Sequence, residues 1–256
     1  MHDSPNPGPL FQGKFRRRGI YLLPNLFTTA ALFAGFFAIV QAMNGRFGES
    51  AVAILIAMVM DGLDGRVARL TRTQSAFGAE YDSLSDMVSF GVAPALVVYV
   101  WALKGLGKLG WLAAFIYCAG AALRLARFNT QLEVGDKRYF QGLPSPAAAA
   151  LIAGLVWVMH EEYHIKGADV AWVAWAVTVF AGLTMVSNLR YYSGKDINLR
   201  KSVPFVVVLL IVLAFILVST DPPRVLFAIF VLYALSAYVR AAWEFIRGRG
   251  RGAKEG

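Results

Sequence analysis

Eight apolar segments, each close to the ~17–25 residues that cross a ~30 Å hydrocarbon core, constrain this chain more than any other feature. They run over about 20–43, 48–64, 86–104, 109–128, 144–160, 168–189, 203–219 and 225–245. With 57% hydrophobic and 16% charged residues, the chain lacks the polar surface a soluble domain of its size needs. Spanning segments must satisfy their own backbone groups, so the pattern predicts an all-α integral membrane protein with about eight transmembrane helices. The first run, from Gly19 to Met43, is longer than a signal-peptide core of ~7–15 residues and reads as a retained span. A lone Cys118 within an apolar run excludes an intramolecular disulfide and a Cys/His zinc cluster. A metal held by this chain needs oxygen ligands.

The net charge of +9 invites a nucleic-acid reading, and the placement of the basic residues argues against it. An even number of spans puts both termini on one side. That side and its span ends collect twenty Lys and Arg, among them Lys14, Arg16–Arg18, Arg66, Arg69, Arg72, Lys137, Arg138, Arg190, Lys195, Arg200, Lys201, Arg240, Arg247 and Lys254. The other side holds five: Arg46, Lys104, Lys108, Lys166 and Arg224. This is the positive-inside distribution and makes the first side cytoplasmic. Trp101, Trp111, Trp157 and Trp172 fall near the opposite span ends, where an indole suits the headgroup level. The expected organisation is a basic cytoplasmic segment over 1–18, one membrane domain over 19–245 and a basic cytoplasmic tail over 246–256 touching anionic lipid.

Charged side chains within or beside spans are costly unless paired or ligated, which singles out Asp61, Asp64, Asp82 and Asp86. On a helix Asp64 lies about 60° from Asp61, with Gly65 and Ala68 within about 40° of it. Two carboxylates and two very small residues therefore share a face open to a bulky ligand. Arg69, about 80° from Asp61, borders that face with a forked donor suited to phosphate. Asp82 and Asp86, four apart, project from one side of the next helix, beside the small polar row of Ser85 and Ser89. The stretch Leu70–Tyr81 between the two is expected to be a tight turn. Four bare carboxylates would repel one another, and hard divalent cations such as Mg²⁺ or Mn²⁺ remove the conflict; four are enough for two ions. Two metals beside an Arg suit phosphoryl-type displacement. The run lacks the alternating ligands and terminal Glu of an EF-hand.

The run Asp61-x2-Asp64-Gly65-x2-Ala68-Arg69-x8-Gly78-x3-Asp82-x3-Asp86 resembles the full signature of the CDP-alcohol phosphatidyltransferases. That resemblance implies a six-helix core, with the last two spans as C-terminal additions. It implies two divalent cations on Asp61, Asp64, Asp82 and Asp86, with Asp86 also taking the proton of the attacking hydroxyl. It places the CDP part of a lipid donor, CDP-diacylglycerol, near Gly65, Ala68, Arg69, Ser75 and Gly78. Pro24-Asn25-Leu26-Phe27-Thr28 resembles the upstream nucleotide contact and adds Asn25 and Thr28. Flanking segments, Asp82 to Pro94, Arg124-Leu-Ala-Arg127-Phe128-Asn129 and Phe140 to Pro146, are similar to the membrane-bound phosphatidylserine synthases of the family, which implies serine as acceptor. Ser83 and Met87 stand where glycerophosphate-using members carry Pro and Lys. Glycerol 3-phosphate, inositol phosphate, choline and an archaetidylserine synthase stay open as alternatives.

Arg124 and Arg127 have two readings: cations at the inner end of a span, or a counter-charge for serine's carboxylate or a donor phosphate, with the Asn129 amide assisting. His2, His160 and His164 read as surface residues, Met58 and Met60 as packing, and Gly35 with Ala30, Ala31 and Ala34 as close helix packing. A homodimer in a bacterial inner membrane is a further expectation of the resemblance. The competing non-enzymatic reading, a divalent-cation transporter, needs the carboxylates at the midplane.

Overall fold

The structure is a computed structural model that describes residues 12–71, 73, 75–131, 139–192 and 205–252. Arg72, Lys137, Arg138, Lys195, Arg200, Lys201, Lys254 and His2 lie outside the described residues. Apolar residues without long polar interruptions give eight helical rods: α1 (Gln12–Met43), α2 (Phe47–Thr71), α3 (Ala76–Leu106), α4 (Lys108–Gln131), α5 (Ser145–Trp157), α6 (Ala171–Val186), α7 (Phe205–Thr220) and α8 (Pro222–Gly252). Within α3 two stretches, Met87–Val92 and Tyr99–Leu103, are π-helical, and α5 continues as a π-helical turn over Val158–Glu162.

The fold is thus an all-α membrane fold, and the chain is a multi-pass membrane protein. Among the described residues five stretches, Pro24–Met43, Ala76–Leu106, Lys108–Thr130, Gly167–Val186 and Pro222–Glu244, are long and apolar enough to cross a membrane by length and composition. That is fewer than the eight expected, for local reasons. Glu49, Asp61 and Asp64 interrupt the apolar content of α2, α5 has 13 residues before its π turn, and α7 has 16.

Small residues decide the packing. Helix α5, with the run Pro146-Ala-Ala-Ala-Ala150, is buried from Ala147 to Val156 and forms the central staff, contacted by α2, α3, α6 and α8. Helices α1 and α2 make the most extensive pair, and α4 lies along α6. The core runs through Ala38, Ile54, Phe90, Val97, Tyr117, Ile152 and Met185, whereas Phe33, Phe36, Phe115, Leu183, Phe215 and Leu232 point outward, as a lipid solvent permits.

The α1–α3 seam is built as the small residues foretold. A Cβ on Gly35 would sit 2.6 Å from Ser89 Oγ, and Ser89 and Ser85 donate across the seam to the carbonyls of Ala31 and Thr28 at 3.0 and 3.1 Å. The α4–α6 crossing is as close: a Cβ on Gly120 would run into the carbonyl of Gly182, and one on Gly182 would lie 2.9 Å from Tyr117 Cα. Gly120→Val should therefore part the two helices and cost about 1–3 kcal/mol. Thermal unfolding in micelles checks this, and an unshifted midpoint would show that the crossing yields freely.

Two expectations are corrected. Leu70–Tyr81 is not all turn: α2 runs to Thr71, and Ser75 starts α3 by accepting the Gly78 N–H at 3.0 Å, an N-cap that satisfies an otherwise free donor. Trp101 is 7% exposed, packed inside the second π-helical stretch, while Trp111 and Trp172 are 51% and 61% exposed and sit as a belt residue would. One short ladder accompanies the helices: β1 (Tyr139–Gln141) pairs antiparallel with β2 (Arg190–Tyr192), with Phe140 opposite Tyr191. This ladder ties the α4–α5 connection to the segment after α6.

Candidate functional site

Five helix ends converge around the carboxylates: the N-terminal part of the α1 span, the C-terminal part of α2, the start of α3, the end of α4 and the start of α5. Asp64 lies seven residues before the end of α2 and Asp82 six after the start of α3, each ~10 Å along its helix. Asp61 and Asp86 lie ten residues from the same helix ends, ~15 Å along, so the set reaches inward from that end of the bundle.

Carboxylate oxygens of Asp61, Asp64 and Asp82 lie within 4.8 Å of one another. Asp86 faces Asp61 and Asp82 within electrostatic range, and Asp82 faces Asp64 likewise. Asp82 Oδ1 is buried with no partner among the described residues. A buried acceptor without a donor is costly, and a set of hard oxygen donors this close suits a hard divalent cation. The residues fit such an ion.

The walls of the site differ. On the α1 side, Thr28 Oγ1 donates to Asp64 Oδ2 at 2.8 Å and orients that carboxylate, with the Pro24 carbonyl 3.2 Å away. A Cβ at Gly78 would meet Ser75 Oγ at 3.1 Å and Asn25 Oδ1 at 3.5 Å, so Asn25, Ser75 and Gly78 are neighbours. Gly65 faces open space, its nearest side-chain atom being Arg69 Nη2 at 4.0 Å, and Arg69 is exposed beside the half-buried Ala68. Tyr81 and Thr29 hydroxyls are 2.9 Å apart and close this wall.

On the α4 side, Arg124 Nη1 donates to Ser145 Oγ at 2.9 Å, and Asn129 Nδ2 donates to Ser83 Oγ at 3.0 Å, next to Asp82. Arg127 turns elsewhere: its Nη1 reaches the Ser187 carbonyl at 3.4 Å and Asn188 Oδ1 at 3.3 Å, stitching α4 to the end of α6. Ser145 and Tyr233, the latter within electrostatic range of Arg124, are additions that the sequence reading missed. Ser145 lies between Pro144 and Pro146, a signal at hand in the sequence; Tyr233 sits in an apolar segment with nothing to mark it.

The sequence model of the CDP-alcohol phosphatidyltransferase family matches residues 21–184, from within α1 to the last turn of α6, and leaves α7 and α8 outside. The chain is 35% identical over 227 residues to the CDP-diacylglycerol–serine O-phosphatidyltransferase of Helicobacter pylori, covering 89% of this chain and 93% of that protein. Proteins of the same name from Mycobacterium tuberculosis and Methanocaldococcus jannaschii are 42% identical over 147 residues and 40% over 138. Those matches cover 55% and 54% of this chain and 51% and 61% of the two relatives.

Proposed function

This chain belongs to the CDP-alcohol phosphatidyltransferase family, and from that premise we propose that it transfers the phosphatidyl group of CDP-diacylglycerol to L-serine, giving phosphatidylserine and CMP. The observation that carries the acceptor is the similarity to a serine-using relative along nearly its whole length, 93% of that protein. The converging carboxylates supply the chemistry, and the forked Arg69 donor beside them, suited to phosphate, favours catalysis over passage of ions through the bundle. The basic residues flanking the carboxylate end of the bundle support its reading as the cytoplasmic face, with both termini on the same side, and a bacterial inner membrane is the setting proposed with it.

Asn25, Ser75 and Gly78 form the wall for the cytidine part, and Gly65, Ala68 and Arg69 leave the backbone open to the pyrophosphate, with the Arg69 fork as its donor. Asp61, Asp64, Asp82 and Asp86 hold the divalent cations, Mg²⁺ or Mn²⁺, which when bound offset charge on the phosphate oxygens and the departing CMP. Asp86 takes the proton of the serine hydroxyl. The serine oxygen bonds to the phosphorus that carries diacylglycerol, and the bond from that phosphorus to the CMP oxygen breaks.

Purified full-length chain in detergent micelles, given CDP-diacylglycerol, Mg²⁺ or Mn²⁺ and labelled serine, should release CMP and label the lipid. Turnover of glycerol phosphate, inositol phosphate or choline with serine inert would overturn the acceptor and keep the family. Thr28→Val removes the donor that orients Asp64, and cation affinity, read by titration with Mn²⁺, should fall about tenfold. An unchanged affinity would make Thr28 a helix-packing residue only.

A further inference from the structure

Arg124 is 9% exposed and makes no ion pair among the described residues. Withdrawing a guanidinium that far from water is costly unless an anion meets it. One edge is fixed, with Nη1 donating to Ser145 Oγ at 2.9 Å, but Nε is buried with no partner among the described residues. Of the four site carboxylates, Asp86 is the one within its electrostatic range, and Tyr233 of α8 is the second group that faces it. Tyr233 is itself pinned, its hydroxyl donating to the Tyr192 carbonyl at 3.2 Å, and α8 is held beside it by Tyr191, whose hydroxyl donates to the Ala234 carbonyl at 2.8 Å.

These contacts leave a buried cation, within electrostatic range of Asp86, with an unspent donor. We infer that Arg124, set by Ser145 and enclosed by Tyr233, receives the carboxylate of the acceptor. The inference rests on the serine reading and names the residues that enforce it. A planar fork matches a carboxylate, and an acceptor held there by one end presents its hydroxyl to Asp86. Arg127, committed to Asn188 and the Ser187 carbonyl, is the brace of this wall. Helix α8, beyond the family match, thereby closes the acceptor pocket of this chain.

The same anion-binding chemistry could serve a donor phosphate, so the test separates the two. Steady-state CMP release by the full chain in micelles is measured against serine and against serinamide, which keeps hydroxyl and amine and lacks the carboxylate. The parent should prefer serine by at least about tenfold in kcat/KM. Arg124→Lys, which keeps the charge and loses the fork, should raise the serine KM at least about tenfold and leave the CDP-diacylglycerol KM within about twofold, so that the preference over serinamide collapses. A preserved preference, or a rise confined to the CDP-diacylglycerol KM, overturns the inference. If Arg124→Lys does not fold, Ser145→Ala decides: a serine KM raised about threefold or more with a narrowed preference supports the pocket, and an unchanged preference overturns it. A parent protein that ignores serine and serinamide alike and uses another alcohol sinks the serine reading itself, a result distinct from any of these.

Discussion

Asp86→Asn should lower CMP release from CDP-diacylglycerol and serine by about a hundred- to ten-thousandfold, the range over which a positioned proton acceptor contributes. The amide has nearly the shape of the carboxyl and keeps one oxygen for a cation, but it cannot take up the hydroxyl proton. Asp86 is the last α-helical residue before the π-helical stretch Met87–Val92, so its direction is set by a local change of helix pitch. Tyr117 secures that stretch by donating to the Phe90 carbonyl at 3.0 Å. Single-turnover CMP release at saturating cation is the measurement, with Mn²⁺ titration alongside to show how much ligation survives. A rate within about tenfold of the parent, with cation bound, would remove Asp86 from the proton step.

The second large effect concerns Asp82→Asn, and its sign differs between function and stability. Asp82 lies in the oxygen cluster with Asp61 and Asp64 and has a buried, unpartnered Oδ1. Replacing it takes one charge from the ligand set, and cation affinity should fall about a hundredfold, with turnover lost at cation concentrations that saturate the parent. Without cation, the same substitution removes a like charge from a crowded carboxylate set. The chelated variant should therefore unfold at a higher temperature than the chelated parent, and the order should reverse once cation is added, because ligand binding stabilises only the chain that binds it. Melting both proteins with chelator and with Mn²⁺ checks this. A variant less stable than the parent under chelation would mean that Asp82 supports the fold and is not strained by its neighbours.

The sequence was a good guide wherever a property is carried by one helix. Asp61 with Asp64, and Asp82 with Asp86, share faces because helical geometry leaves them no alternative, and Gly65 and Ala68 open the backbone on the same grounds. The limits of the helices were less legible. Ser75 caps α3 and starts the helix well before the carboxylates, a choice between turn and helix that the polar stretch from Thr71 to Gly78 did not settle. Trp101 is the residue type of a membrane interface and has the burial of a core one, within a π-helical stretch that packs it inside.

Contacts between distant segments lay beyond the reach of spacing. Arg124 and Arg127, three residues apart, offered the same two readings, and only packing separated them: one meets Ser145 and the surroundings of Asp86, the other Asn188. Tyr233 entered the site because α8 crosses α5 and is tied by tyrosines to the strand pair, a set of contacts made across more than forty residues. By itself, then, the sequence determined a multi-pass helical membrane chain, the four carboxylates and the family to which their spacing belongs, since helix pitch and bilayer thickness are local constraints. The tertiary structure alone decided which polar groups orient those carboxylates and which cation is left facing Asp86, because a side chain's partner is set by the helix packed against it.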